Sequence, residues 1–248
     1  MTTATLWRRL VAEFCGSAFL CAVVVGSGIA AQTLSPGNTG VQLLENAAAT
    51  GTGLFAIILM LGPVSGGHFN PVVSFVDAAF GGLRWGDAFA YLPVQMLGCA
   101  MGAAVANVMF GRSALELSTK HRASAAHFLS EVVATLGLIL VIFAVARSDR
   151  VRSAPAAVGA YIAAAYFFTS STSFANPAIA VGRMFSDTFA GIAPSSVPSF
   201  VVAEVVGGAL ALGLVIVLYP SITADEAAEV IVPRADPPSK VATEQSPS

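Results

Sequence analysis

The sequence predicts an all-α membrane protein in which six transmembrane helices and two re-entrant half-helices form an inverted repeat. Three observations predict this fold: an apolar composition, six long apolar segments, and two half-length segments that each begin with Asn-Pro. The 248 residues are 56% apolar and 10% charged, whereas a soluble domain is about 25% charged. This composition excludes an ordinary soluble globular protein.

Six apolar segments approach the length of about 20 residues that a helix needs to cross the hydrocarbon core. They run from Leu6 to Ala31, Val41 to Leu61, Trp85 to Phe110, Ala125 to Arg147, Pro155 to Ser170 and Val197 to Tyr219. Arg8 and Arg9 near the start of the first segment allow a cleaved signal peptide as an alternative. The apolar run that follows them is longer than the roughly 7 to 15 residues of such a peptide.

Lys and Arg residues in the short connections predict the orientation, because they favour the cytoplasmic side. With the N-terminus inside, the inner side holds Arg8, Arg9, Arg84, Arg147, Arg150, Arg152, Arg234 and Lys240, and the outer side holds Arg112, Lys120 and Arg122. We therefore expect a multi-pass protein of the plasma (cell inner) membrane with both termini in the cytoplasm. The Pro- and Ser-rich residues 221–248 are expected to form a disordered cytoplasmic tail.

Charge and cysteine content exclude further classes. Lys+Arg 12 against Asp+Glu 14 gives a net charge of -2, which provides no basic surface for a nucleic acid. Cys15, Cys21 and Cys99 lie in apolar runs without a Cys-x-x-Cys spacing, and we interpret them as buried hydrophobic residues. The sequence has no nucleophile and base pair, metal-ligand spacing or phosphate loop, so we expect no enzyme activity, cofactor or metal site.

Two matching units make up the chain. Glu13 lies early in the first segment and Glu131 early in the fourth, and each unit contains an Asn-Pro half-segment, Asn70 to Phe80 or Asn176 to Asp187. Because each unit has an odd number of spanning segments, the second unit is inverted relative to the first. We expect repeat one and repeat two to cover about residues 6–110 and 125–219.

Each half-segment has the features of a helix start. An Asn is a strong N-cap, and a proline at the first helical turn has no N–H to leave unpaired. The two motifs are Asn70-Pro71-Val72 and Asn176-Pro177-Ala178. Two such helices meeting at the bilayer centre place two positive dipole ends and two amides there, where irregular backbone persists only if it lines a cavity or packs in protein.

These motifs resemble those of the aquaporin and aquaglyceroporin family, the major intrinsic proteins. The resemblance covers Leu6 to Tyr219 and rests on SGGHFNPVVSF, SFANPA, YLPVQMLGCAMG and the two glutamates. It implies an aquaporin-like channel domain over residues 1–220, in the lipid bilayer, with a pore in each subunit of a homotetramer. Its partners would be small neutral solutes that cross passively.

The resemblance also implies roles for the residues around the motifs. Asn70 and Asn176 would donate hydrogen bonds to a solute, and carbonyl groups before each helix would accept them. These carbonyls belong to Gly66, Gly67, His68, Thr172, Ser173 and Phe174. Glu13 and Glu131 would be structural acids that accept loop N–H groups, with proton relay as the alternative. His68 would line the pore, with a purely structural role as the alternative.

The sequence departs from the family pattern at the selectivity filter. Most members carry an Arg three residues after the second motif Asn, where this chain has Ile179. Family spacing assigns the filter to Thr50, Ala164, Ser173 and Ile179. This small, uncharged set implies a wider and less polar constriction than in water or glycerol channels, without one of the usual barriers to protons.

Two charged residues lie seven positions after the motif asparagines. Arg183 is not assigned to the filter because it lies one helical turn beyond Ile179. We expect it to pair with Asp187 or to lie in the outer vestibule. Asp77 is expected at the cytoplasmic mouth or at a solvated helix end.

The filter and the second motif resemble a bacterial aquaglyceroporin branch associated with arsenic resistance. Val72, the hydrophobic residue at the Arg position and the run FANPAIAVGRMFSDTFAGI carry this resemblance. It implies passage of neutral metalloid acids such as arsenite, with glycerol, urea and water as further permeants. A proton- or sodium-coupled secondary transporter, which also has inverted repeats and broken helices, is the main alternative.

Overall fold

The computed structural model describes residues 4–147 and 151–219, and those ranges contain eight α-helices. They are α1 (Leu6–Leu34), α2 (Thr39–Ser65), α3 (Pro71–Ala79), α4 (Trp85–Met109), α5 (Ala125–Arg147), α6 (Ala154–Phe168), α7 (Pro177–Arg183) and α8 (Val197–Leu218). Short 3-10 helices, Val151–Ser153 and Pro194–Ser196, precede α6 and α8. Residues 221–248, the expected tail, lie outside the described ranges.

The predicted all-α membrane fold is confirmed. Helices α1, α2, α4, α5 and α8 are long and apolar enough to cross a membrane. Helix α6 is the fifth of the six expected spans, and its 15 residues make it the shortest of them. The 3-10 turn that leads into α6 extends this span at its start.

The half-segments form short helices whose N-termini meet. Nδ2 of Asn70 donates to the Ala175 carbonyl at 2.7 Å, and Nδ2 of Asn176 donates to the Phe69 carbonyl at 2.8 Å. This reciprocal pair relates α3 to α7 as the inverted repeat requires. The helices have 9 and 7 residues, fewer than expected. Helix α7 ends at Arg183, and the carbonyl groups that follow bind the α4–α5 connection: the Ser118 N–H donates to the Met184 carbonyl and the Glu116 N–H to the Phe185 carbonyl.

Glycines determine how closely α1 and α4 approach. A Cβ atom at Gly98 would overlap the Phe14 carbonyl oxygen, and one at Gly102 would overlap that of Ala18. Small residues favour such packing in membranes, where lipid tails are as apolar as the side chains and tight contact drives association. The two helices therefore pack with their backbones in contact.

We expect Gly102→Ala to lower the thermal unfolding midpoint in detergent, because its methyl group forces α1 and α4 apart at a cost of about 1–3 kcal/mol. Gly86→Ala is the matched control, since Gly86 begins the same helix and has no atom within 4 Å of an added Cβ. Circular dichroism during heating measures both midpoints. Equal midpoints for the two variants would contradict the close α1–α4 packing.

Candidate functional site

The connections α2–α3 and α6–α7 meet at the centre of the bundle and line one cavity. Its volume, measured to the centres of water-sized spheres, is about 50 Å³, several times the space that one water molecule needs. Of the residues singled out in the sequence, those that line it are Thr50, Gly67, His68, Asn70, Ser173, Phe174, Asn176, Ile179 and Arg183.

Both motif asparagines cap a helix and reach across the cavity. Oδ1 of Asn70 accepts from the Val72 N–H at 3.0 Å, and Oδ1 of Asn176 accepts from the Ala178 N–H at 3.0 Å. One N–H of each amide donates to the opposite connection, as described above. An amide nitrogen carries two N–H groups, so each asparagine keeps one donor for the cavity that both residues line.

The backbone beside the asparagines is held in an unusual conformation. Phe69, Thr172, Ser173 and Ala175 have φ between 47° and 65°, a left-handed region that costs non-glycine residues of order 1–3 kcal/mol each. The described residues donate no hydrogen bond to the carbonyl oxygens of the six residues that the sequence predicts as acceptors. Four of those six residues line the cavity, so their carbonyl groups are available to a solute.

Glu13 holds the first connection. Its Oε1 accepts from Ser65 Oγ at 2.6 Å and from the His68 N–H at 3.1 Å. Its Oε2 accepts from the Phe69 N–H at 2.7 Å and from Gln95 Nε2 at 2.8 Å. A buried carboxylate requires such partners, and four bonds fix the backbone that carries the carbonyl groups.

Two acids hold the second connection. Glu131 accepts from the Phe174 N–H at 2.9 Å and from the Ala175 N–H at 2.7 Å, and Glu204 accepts from the Asn176 N–H at 3.0 Å. The two acids thus bind three consecutive N–H groups of the connection, and the remaining oxygen of Glu204, Oε2, is buried without a hydrogen-bond partner among the described residues.

Glu204 and Gln95 are functional residues that the sequence reasoning missed. Gln95 lies on the last long helix of repeat one and donates to Glu13, while Glu204 lies on the last long helix of repeat two and accepts from the Asn176 N–H. Glu204 is a lone acid in an apolar span, which is by itself a signal of a functional position. Gln95, a polar residue inside the apolar third span, gives a weaker signal of the same kind.

The filter position on α6 was predicted wrongly. Ala164 has an exposed side chain, and the residues of α6 that face the cavity are Ile162 and Tyr166. Residues four apart share a helix face, whereas Ala164 lies two positions, about 200°, from either. Counting back from Asn176 placed the wrong residue in the cavity because it assumed the family's connection length.

Tyr166 changes the chemistry expected of the constriction. Its hydroxyl lies 3.0 Å from Thr50 Oγ1, across the interface of α2 and α6. Both side chains are buried and line the cavity. The cavity wall at this level therefore includes a phenol group, which is larger than any of the four side chains that the sequence suggested for the filter.

The expected ion pair between Arg183 and Asp187 does not form. Asp187 accepts from the Thr119 N–H at 2.9 Å, and its hydrogen bonds, chiefly this one, lower the pKa of its carboxyl group. Arg183 instead donates through Nε to the Ala190 carbonyl and lies over the Phe174 ring. Helix α7 ends at Arg183, so residues 183 and 187 do not share a helix face.

Asp77 does not lie at a solvated helix end. It is 1% exposed, and its Oδ2 lies 3.2 Å from Nε2 of His68. The other ring nitrogen of His68 lies 3.0 Å from Ser74 Oγ. The two short contacts orient the imidazole at the cavity wall.

Comparisons with known proteins support a common origin. The sequence pattern of the family described as "Major intrinsic protein" matches residues 1–175. Aquaglyceroporin AqpS of Rhizobium meliloti (strain 1021) is 47% identical over 209 residues, which cover 84% of this chain and 89% of that protein. The human lens fiber major intrinsic protein is 31% identical over 176 residues, 68% of this chain and 65% of that protein.

A solved structure has the same fold. The X-ray structure of the aquaglyceroporin from Plasmodium falciparum superimposes with a TM-score of 0.66 at 20% sequence identity. The match covers 87% of this chain and 98% of that chain. The likeness therefore extends over nearly the whole described bundle.

We expect Glu131→Gln to lower the free energy of unfolding by about 1–3 kcal/mol. Each oxygen of Glu131 accepts from a backbone N–H, and in the variant an NH2 group replaces one oxygen and faces an N–H donor. Glu204→Gln is the matched control. Its amide oxygen can accept from the Asn176 N–H, and its NH2 group replaces Oε2, which has no hydrogen-bond partner among the described residues. Thermal unfolding in detergent measures both variants. A loss of stability in Glu204→Gln as large as in Glu131→Gln would contradict the different hydrogen-bonding roles of the two acids.

Proposed function

The chain belongs to the major intrinsic protein family and is a membrane channel for small solutes, and we propose that it passes small neutral molecules: glycerol, metalloid acids such as arsenite, urea and water. The observation that carries the proposal is the set of unpaired donors and acceptors along the cavity. The cavity is lined by Asn70 and Asn176, each with one amide N–H left over, and by four residues whose carbonyl oxygens accept no hydrogen bond from the described residues: Gly67, His68, Ser173 and Phe174. These groups replace the water that a hydroxylated solute loses on entry.

The rest of the cavity wall favours a neutral solute. Its aliphatic lining, which includes Val24, Leu54, Ile58 and Ile162, suits the carbon side of a molecule whose hydroxyl groups face the polar strip. No acidic residue is among the described residues that line the cavity. The positive ends of α3 and α7 point at the centre, and this raises the free energy of a cation there.

Arsenous acid and glycerol present similar surfaces to this cavity. Each carries three hydroxyl groups on a small centre, so each donates to the carbonyl groups and accepts from the asparagine amides. The 47% identity to an aquaglyceroporin supports glycerol as a permeant. Ser173 Oγ, buried and without a hydrogen-bond partner among the described residues, adds a further group for a solute hydroxyl.

The proposal includes an orientation and an assembly. The inner-side excess of Lys and Arg favours cytoplasmic termini in the plasma (cell inner) membrane, which places the connections 110–124 and 184–196 at the outer mouth. The family resemblance favours a homotetramer with one pore in each subunit.

Stopped-flow measurements on proteoliposomes test the function. We expect the flux of glycerol, arsenite, urea and water to exceed that of protein-free vesicles, to rise linearly with concentration and to be independent of proton and sodium gradients. Saturable flux that requires either gradient would favour a secondary transporter and contradict the proposal.

We expect Ile179→Arg to reduce glycerol flux several-fold while leaving water flux within about twofold, because a long cationic side chain narrows the cavity that Ile179 lines. Ile179→Leu keeps the volume and polarity and serves as the control. Stopped-flow light scattering on equal amounts of reconstituted protein measures both solutes. Glycerol flux that is the same in both variants would show that Ile179 does not lie at the constriction.

A further inference from the structure

Arg183 reaches the cavity from the last residue of α7. It is 1% exposed and lines the cavity together with Ile179 and Phe174. Helical side chains lean toward the N-terminus of their helix, so the Arg183 side chain extends back toward the centre of the bundle. Arg183 lies four positions after Ile179, which is about 6 Å along the helix axis. A long arginine side chain can span this distance.

The guanidinium of Arg183 has unused donors. Its Nε donates to the Ala190 carbonyl, and its Cζ lies 3.5 Å from the centre of the Phe174 ring. Its two terminal NH2 groups have no hydrogen-bond acceptor within residues 4–147 and 151–219. The stacking on Phe174 fixes the plane of the group, and its terminal donors remain available to a molecule in the cavity.

Arg183 shares the cavity with a polar pair on other helices. Tyr166 on α6 and Thr50 on α2 are hydrogen-bonded at 3.0 Å, and both line the same cavity. Arg183 lines this cavity as well. A hydroxylated solute at this level meets both guanidinium donors and hydroxyl groups.

We propose that Arg183 is a specificity-determining residue that supplies the positive charge of the selectivity filter from one helical turn beyond the position where Ile179 stands. Its guanidinium donates hydrogen bonds to solute oxygens and repels cations, including the hydrated proton. The constriction is therefore polar and charged, contrary to what Ile179 alone suggests. This inference rests on the proposed channel function and names the residue that sets its selectivity.

The outer mouth carries two more cations near Arg183. The Arg122 guanidinium donates to the carbonyls of Gly191 at 2.9 Å and Ser171 at 3.2 Å, and Lys120 Nζ donates to the Phe189 carbonyl at 2.8 Å. Burial, together with the charges of Arg122 and Arg183, lowers the pKa of Lys120 to about 8. The three charges thus act on one another, and the repulsion extends from the mouth to the cavity.

Proton and glycerol fluxes measured in the same proteoliposomes test the proposal. An internal pH dye reports proton entry driven by a potassium gradient with valinomycin, and light scattering reports glycerol. We expect Arg183→Gln to raise proton entry at least about tenfold, the change produced by about 1.4 kcal/mol of lost repulsion, while glycerol flux continues. Arg183→Lys keeps the charge and should remain close to wild type in proton entry.

A relocated charge separates the filter role from a structural one. In the double variant Ile179→Arg/Arg183→Gln, a guanidinium stands one turn closer to the centre, and we expect proton entry to return toward the wild-type value. Arg183→Gln with wild-type proton entry and continuing glycerol flux would overturn the proposal. If Arg183→Gln carries no glycerol, the proton entry of Arg183→Lys tests the proposal instead. A proton leak through Arg183→Lys overturns the proposal, and proton entry at the wild-type level supports it.

The outcome is distinguishable from failure of the channel function itself. Wild-type vesicles without glycerol flux would refute the proposed function. Wild-type glycerol flux combined with variants that exclude protons equally well would refute only the role of Arg183.

Discussion

The hydrogen bonds from the two pore connections to buried carboxylates are the interaction on which the rest of the structure depends. Glu13, Glu131 and Glu204 together accept five backbone N–H groups beside the motif asparagines. These bonds offset the cost of the left-handed backbone at residues such as Phe69 and Ala175. Because the N–H groups are satisfied on the protein side, the neighbouring carbonyl groups are left for the cavity. A solute path and a stable backbone thus arise from the same set of contacts.

The inverted repeat has similar geometry but different chemistry in its two halves. Gln95 donates to Glu13 in the first half, whereas Glu204 in the second half accepts directly from the Asn176 N–H of the connection. Seven residues after the motif asparagines, one half has Asp77 against His68 and the other has Arg183 against Phe174. The two ends of the path therefore differ in charge, although the backbone that forms them is related by symmetry.

Local patterns predicted the helices and the motif residues well. Apolar run length located the six spans to within a few residues, because crossing lipid requires both length and internal backbone hydrogen bonds. The N-cap chemistry of Asn70 and Asn176 is local, and so both helix starts were predictable. Counting by family spacing failed at Ala164 because a change of two residues in a connection rotates the helix face by about 200°. The pairing of Arg183 with Asp187 failed because α7 ends at Arg183.

Apolar length, the odd number of spans in each repeat and helix capping within a few residues are local features, and they suffice to predict the all-α membrane fold, the inverted repeat and the two amides at its centre. The set of side chains that share the cavity depends instead on tertiary packing. Tyr166 meets Thr50 across two helices, and Glu204 accepts from the N–H of Asn176, which lies 28 positions earlier. The direction of the Arg183 side chain depends on Phe174 and Ala190, which belong to separate connections. Contacts between distant segments follow from packing, and no local pattern of residues encodes them.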